Sequence, residues 1–292
     1  MNSFTIKDLE NLSGIKAHTI RIWEQRYDFL KPCRTCTNIR YYSNDELKKI
    51  LNVSLLNKYG FKISHINKMD GQELKEKILT LTQTEARQEK LINDLIQYMV
   101  DLDIDSFEDI IDDHIESRGI EKTIIQIIFP FLDKIGILWL TNNINPAQEH
   151  LVCNIIRQKL IFGIEIATSS IKSDQSVLLF LPEGEHHEIG LLFVYYLLKS
   201  HGINVLYLGT NIPLDDAAYI AKHKKPDYIY SHLTCVSPNF DFDKFIFEID
   251  HTLNKNKIII SGRLTQSFQK KLPAHIQFKK SFTEVIEFVA SI

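Results

Sequence analysis

Val177-Leu178-Leu179-Phe180-Leu181-Pro182-Glu183-Gly184-Glu185-His186-His187-Glu188-Ile189-Gly190 opens with an unbroken apolar run and closes on a turn crowded with carboxylates and imidazoles. A short apolar run bounded by Pro and Gly reads as a strand buried on both faces. The amphipathic stretch that follows, Ile189 to Lys199 ending at Gly202, reads as a helix. Further apolar runs at Ile203–Leu208, Tyr228–Tyr230, Lys257–Ile260 and Ile276–Phe278 continue the alternation. Strand–helix alternation implies a doubly wound parallel sheet, which binds ligands outside the C-terminal ends of its strands. The polar turn from Glu183 to Glu188 lies at that edge.

Upstream, Leu91, Leu95, Met99 and Leu102 recur at helical spacing, as do Ile124, Ile127, Ile128, Phe131 and Ile135. Asn145-Pro146 with Gln148 is an N-cap, first-turn proline and box residue, so another helix begins there. Together these segments read as a four-helix bundle. Residues 71–85 are polar and read as a linker or the tail of a connecting helix. At the N-terminus, Thr5 caps a helix closed by Gly14, and a second helix covers His18 to Arg26. The pair has helix-turn-helix spacing. Beyond Pro32, Asn38 supplies a left-handed turn between two extended arms, and Ser43-Asn44-Asp45-Glu46 forms a capping box. Helix-turn-helix, basic hairpin and helix make a winged arrangement. The fold class is thus multidomain α and α/β: a winged helix-turn-helix over residues 1–72, a helical bundle over 73–173 and a Rossmann-like sheet over 174–292.

Charge divides along the same lines. The first 70 residues hold 12 Lys and Arg against 7 Asp and Glu; the rest hold 22 against 30. A basic head on an acidic body suits a polyanion-binding module. No apolar run is long enough to span a bilayer and no export signal is visible, so a cytoplasmic, nucleoid-associated protein is expected. Four cysteines in 292 residues do not make a disulfide scaffold. Cys33 and Cys36 form a C-x-x-C with no second pair or nearby His, a poor zinc signature. Cys153 and Cys235 read as packing residues.

Phe4 to Leu55 resembles the MerR winged helix-turn-helix, above all in Thr19-Ile20-Arg21-Ile22-Trp23-Glu24-Gln25-Arg26-Tyr27 and Arg40-Tyr41-Tyr42-Ser43. The resemblance implies double-stranded operator DNA as partner, with contacts from Lys16, His18, Thr19, Arg21, Arg26, Tyr27, Arg40 and Tyr42. Arg is the commonest reader of guanine and a phosphate ligand. Two positions depart from the family: Lys16 stands where a Ser caps the recognition helix, and Thr37-Asn38 where the wing has paired glycines.

Glu185-x-His187-x-x-Gly190, then forty residues to Ser231-His232-Leu233 and twenty-seven more to Ser261-Gly262, resembles the cobalamin-binding domain with its D/E-x-H-x-x-G, S-x-L and G-G motifs. A surface loop histidine, or zinc held with His186 and Glu188, would account for His187 alone but not for Ser231 and Gly262. The resemblance makes His187 the lower axial ligand of cobalt, with Glu185 fixing its tautomer. Gly190 leaves room for the displaced nucleotide tail, Ser231 and Leu233 lie along that tail, and Gly262 allows close backbone approach. Ser261 departs from the paired glycine.

Trp139, followed after nine residues by Glu149-His150, resembles the W-x9-E-H signature of the cap in the cobalamin-dependent branch of MerR regulators, the CarH/CarA/LitR-like photoreceptors. There these residues cover the upper face of adenosylcobalamin. The resemblance therefore implies a transcriptional repressor, not an enzyme, that holds adenosylcobalamin between bundle and sheet. Methylcobalamin or another corrinoid is the alternative cofactor. It further implies a homo-oligomer, dimer or tetramer, that cofactor assembles and light dissolves. Leu140 stands where light-sensing members carry a His that takes cobalt's upper position. The competing reading keeps the architecture but dispenses with cobalamin or with light, leaving the C-terminal domains to oligomerise or contact other proteins.

Overall fold

The computed structural model describes residues 3–27, 29–140, 144–234 and 240–292, without the side chains of 137, 139 and 140. It divides into two units, Met1–Ile155 and Ile156–Ile292. Among the described residues no helix is long and apolar enough to cross a membrane.

The first unit opens with α1 (Ile6–Ser13) and α2 (Ala17–Arg26), then the two-residue strands β1 (Cys33–Arg34) and β2 (Arg40–Tyr41), then α3 (Asn44–Lys58). Thr5 accepts the Asp8 amide while Asp8 returns a bond to the Thr5 backbone, and Gly14 closes α1 at φ 73°. β1 and β2 pair antiparallel around Asn38, which takes the expected left-handed turn at φ 65°. The Ser43 capping box is only half formed. Ser43 accepts the Glu46 amide, but the Glu46 carboxylate instead accepts the Lys31 amide at 2.8 Å and pairs with Lys49 at 2.9 Å. A tertiary partner has replaced the local one.

After the single turn α4 (Ile63–Ile66) comes α5 (Gly71–Leu79), opened by a full capping box between Asp70 and Glu73. The polar segment read as a linker or the tail of a connecting helix is therefore largely helix, capped by its own carboxylates. α6 (Thr84–Asp101), α7 (Ile104–Arg118) and α8 (Ile120–Thr123) follow; α8 continues through a π-turn at Ile124–Ile128 into α9 (Phe129–Leu140), and α10 (Pro146–Ile166) begins at the expected cap. Asn145 accepts the Ala147 amide, and Gln148 reaches back to the Asn145 backbone. Gln148 also donates to the Met99 and Val100 carbonyls, joining the start of α10 to the end of α6. Leu95, Met99, Ile124, Ile127, Ile128, Phe131 and Ile135 are buried as their spacing requires. Leu102 is not: it ends α6 in the left-handed region and is exposed.

In the second unit, β3 (Ser176–Pro182), α11 (Ile189–Ser200), β4 (Asn204–Ile212), α12 (Leu214–Lys224), β5 (Tyr228–His232), α13 (Phe242–Thr252), β6 (Lys257–Ser261), β7 (Ile276–Lys279) and α14 (Phe282–Ser291) alternate. The sheet is parallel throughout, in the order β4-β3-β5-β6-β7. Leu178, Phe180, Ile229, Ile258 and Ile260 pack with Ala217 and Ala221 of α12 and with Phe245, Ile246 and Ile249 of α13. α14 covers the opposite face, where Phe288 meets Tyr228 and Tyr230, and Phe282 meets His232 and Phe193 of α11. In this order the connections run to opposite sides between β3 and β5, which makes the C-terminal ends of those two strands the place where such sheets bind ligands.

Candidate functional site

On the winged segment, Lys16 precedes α2 without a side-chain cap. Glu10 of α1 takes over: one carboxylate oxygen accepts the Ala17 amide at 3.4 Å and the other pairs with Lys16 at 3.5 Å. Ile20 and Trp23 are buried, which turns His18, Arg21, Ile22 and Gln25 outward. Arg26 is exposed at the end of α2, while Thr19 and Tyr27 are half-buried. Ile22 and Gln25 were absent from the sequence-derived set. Helical periodicity around the buried Ile20 and Trp23 was the signal that would have placed them with Arg21.

Glu24 clamps the wing to α2. It receives the Tyr42 hydroxyl on one oxygen and the Arg40 Nε, at 3.2 Å, on the other. Tyr42 is fully buried and its backbone bridges to Phe4, so its ring cannot meet DNA; the expectation of a DNA contact is corrected to a structural role. Burial, reinforced by Glu24, pushes its phenol well above the usual range. Arg40 remains partly exposed beside it. Cys33 and Cys36 are both exposed.

Within the helical segment, Glu149 is half-buried and His150 exposed on the first turn of α10. Burial and the Glu149 charge push the Cys153 thiol up to about 12, which keeps it protonated and unreactive. The Trp139 and Leu140 side chains, and Cys235, lie outside the described residues.

At the C-terminal edge of the sheet, Glu185 is fully buried. One of its oxygens accepts the His187 amide at 2.9 Å and the His187 Nδ1 at 2.7 Å. The other accepts the Thr234 amide, at 2.9 Å, from the loop after β5. One carboxylate thus ties together the loops that follow β3 and β5. It also holds the half-exposed His187 ring by Nδ1, the kind of carboxylate contact that orients an imidazole. Glu188 is engaged elsewhere, by the Tyr207 hydroxyl and by Arg157 at 2.8 Å, and among the described residues no His, Cys, Asp and Glu cluster suits a bound metal ion. A zinc reading of His186-His187-Glu188 finds no support in that arrangement.

The imidazole fits a cobalt ligand, but the cleft expected beside Gly190 does not fit a nucleotide tail. A Cβ on Gly190 would stand 2.3 Å from His232 Cδ2 and 2.4 Å from its Nε2, so the His232 ring lies flat against the α11 backbone. Its Nδ1 bonds Ser261 Oγ at 2.7 Å, and Ser261 Oγ bonds the Tyr230 hydroxyl at 2.5 Å. Burial lowers the His232 pKa to about 4, against the upward pull of Glu185, so the ring is neutral near pH 7. Ser231 donates its hydroxyl to the Phe180 carbonyl at 2.9 Å, and Leu233 belongs to the apolar core on the α12 side. Gly262, at φ 96°, would place a Cβ 2.3 Å from the Leu233 carbonyl oxygen. Its close approach is to this chain's own backbone.

Residues 4–72 match the family model described as MerR HTH family regulatory protein, and residues 91–162 match that described as B12 binding domain. The HTH-type transcriptional repressor CarH of Myxococcus xanthus is 25% identical over 288 residues, 94% of either chain. CarA, an HTH-type transcriptional repressor of the same organism, is 29% identical over 77% of this chain and 74% of its own. The chain is homologous to these two repressors, and its match to the MerR model is confined to residues 4–72. The chain also shares its fold with the monomethylamine corrinoid protein of Methanosarcina barkeri: TM-score 0.52, 12% identity, 70% of this chain and all of the other. The MerR match and the repressor relatives place it with regulators of transcription rather than enzymes.

Proposed function

We propose that this protein is a cytoplasmic transcriptional repressor whose hold on operator DNA is set by a bound corrinoid. The observation that carries the reading is the Glu185–His187 pair at the reversal of the sheet, on a chain that also has a MerR-type helix-turn-helix. His187 would ligate cobalt through Nε2, with Glu185 holding the ring. Bound there, a corrinoid supplies a cobalt centre whose alkyl bond is broken by light, a property of the cofactor itself. By resemblance the group is adenosylcobalamin, contacted through its adenosyl moiety by Trp139, Glu149 and His150.

Domain roles follow the sequence boundaries: residues 1–72 bind DNA, 73–173 cap the cofactor and 174–292 ligate it. Lys16, His18, Thr19, Arg21, Arg26, Tyr27 and Arg40 are the proposed DNA contacts. The exposed Ile22 and Gln25 join them because they share the outward face of α2 with Arg21. Several weak winged modules on one oligomer gain affinity through effective concentration and lose it on dissociation. Light would act by dissolving that oligomer, without a second imidazole at Leu140.

The test is gel filtration of the full chain with adenosylcobalamin, in darkness and after green light, followed by operator binding of each fraction. Corrinoid absorbance that travels with a dark oligomer, and a lighter species with weaker DNA binding after illumination, is expected. Loss of all corrinoid on the column would favour the second reading, a cobalamin-independent regulator. The ring of His232 against Gly190 is the observation in its favour.

A further inference from the structure

The departure at Ser261 and the residue carried in the middle of the S-x-L motif turn out to be one arrangement. His232 is the middle residue of Ser231-His232-Leu233, and Ser261 is the first of Ser261-Gly262. β5 and β6 pair His232 directly with Ser261. Strand alternation sends both side chains, with Tyr230 on the far side of Ser261 in the hydrogen-bond chain, to the face that α11 and α14 cover. There the imidazole is fixed on four sides: Ser261 Oγ at 2.7 Å from Nδ1, Phe282 stacked at 5.5 Å between ring centres and 23° between planes, the sheet behind it, and Gly190 in front. Even a methyl group on Gly190 would overlap the ring. Gly190 therefore seats His232 rather than framing an empty cleft, and Ser261 holds the ring there.

We infer that His232, held by Ser261, plugs the cleft between α11 and the sheet, so that this domain takes a corrinoid on His187 with the corrinoid's lower nucleotide outside the protein. The consequence is a change in ligand selectivity. A domain that buries the nucleotide draws affinity from its base and ribose, and so rejects corrinoids that lack them. A plugged domain draws its affinity from the corrin ring and the axial imidazole alone. In a complete corrinoid the imidazole's bond to cobalt forms only as the bond from the corrinoid's own lower base breaks, so with no pocket to offset that loss the domain favours corrinoids that lack the nucleotide. His187 stands on the loop after β3, half-exposed and outside the plug, so ligation does not require His232 to move.

The inference rests on corrinoid binding as proposed above, and two probes separate its failure from that of the larger reading. The full chain is titrated with aquocobalamin and with diaquocobinamide, which carries the same ring without the nucleotide, and binding is followed by the visible spectrum. The wild type should bind the cobinamide more tightly by about tenfold or more, because aquocobalamin must release its own lower base to take the imidazole. The His232→Gly/Ser261→Gly protein, with the cleft opened, should shift that ratio toward cobalamin by about tenfold or more. The wild-type comparison stands by itself should the double variant fold poorly. A wild-type preference for cobalamin of about tenfold, unchanged in the variant, would mean that the ring swings aside, and would overturn the plug while leaving corrinoid binding intact. Uptake of neither corrinoid by either protein would end both proposals.

Discussion

Glu185 and Thr234 lie forty-nine residues apart in the chain and are joined by a 2.9 Å hydrogen bond from the Thr234 amide to the carboxylate. The bond joins the loops after β3 and β5, and the other oxygen of the same carboxylate holds His187. Ligand presentation and loop geometry thus depend on one buried group. Such outer partners of a metal-bound imidazole are worth about 10–100-fold in affinity. Glu185→Ala should accordingly weaken corrinoid binding by at least about tenfold. It should also lower stability by about 1–3 kcal/mol, because a buried amide and an imidazole N–H lose their acceptor. Spectral titration and urea denaturation measure the two effects. A variant with full affinity would remove Glu185 from the site.

Arg21 is exposed on α2, one turn from His18 and Gln25. Arg21→Ala should leave the unfolding midpoint unchanged and reduce DNA affinity. If the guanidinium meets a phosphate, the slope of log affinity against log salt should fall by about one. If it reads a base, binding should weaken by about 1–3 kcal/mol at the cognate operator only. Fluorescence anisotropy at several salt concentrations, on operator and random duplexes, distinguishes the two. Equal binding by wild type and variant would exclude this face of α2 as the reading surface.

Tyr42 should behave in the opposite way. Its hydroxyl donates to Glu24, a nearly buried carboxylate that also pairs with Arg40. A hydrogen bond to a charged group contributes about 1.5–3 kcal/mol. Tyr42→Phe should cost roughly that in chemical denaturation while keeping the salt slope of DNA binding. A changed slope with wild-type stability would return Tyr42 to the DNA contacts.

Much of this was legible in local sequence, and the exceptions share a cause. β3 and β6 announce themselves because strands buried on both faces need unbroken apolar runs. Asn38 and the Asn145–Gln148 cap were readable because their partners lie within a few residues. Tyr42 was misjudged because the partner that buries it, Glu24, lies eighteen residues away on another element. Glu46 satisfies the capping-box pattern yet serves the Lys31 amide, a competition that no local rule reveals. His187 and Glu185 were found because they are neighbours, and Thr234, which completes their arrangement, was not. His232 was not: the period of two along Tyr228, Tyr230 and His232 turns it away from Ile229, but only the packing of α11 sets Gly190 against it.

That buried imidazole gives the protein a pH signature of its own. In the fold His232 titrates at about 4, because burial opposes its charged form, against an ordinary value of 6.5. The unfolded chain therefore takes up a proton near pH 6.5 while the folded one holds out until about pH 4. Between those limits the unfolded state binds more protons, so stability rises with pH there and falls on acidification. The loss attributable to His232 between pH 8 and pH 5 is about 2 kcal/mol. Burial also lowers the His114 pKa, so the whole protein reports more than one group. His232→Asn isolates the contribution, since Asn can keep a hydrogen bond to Ser261 but cannot titrate. Urea midpoints at pH 8 and pH 5 should converge in the variant by that amount relative to the wild type. If the two proteins lose stability equally on acidification, His232 is protonated in the fold, and the packed neutral ring against Gly190 is the wrong picture.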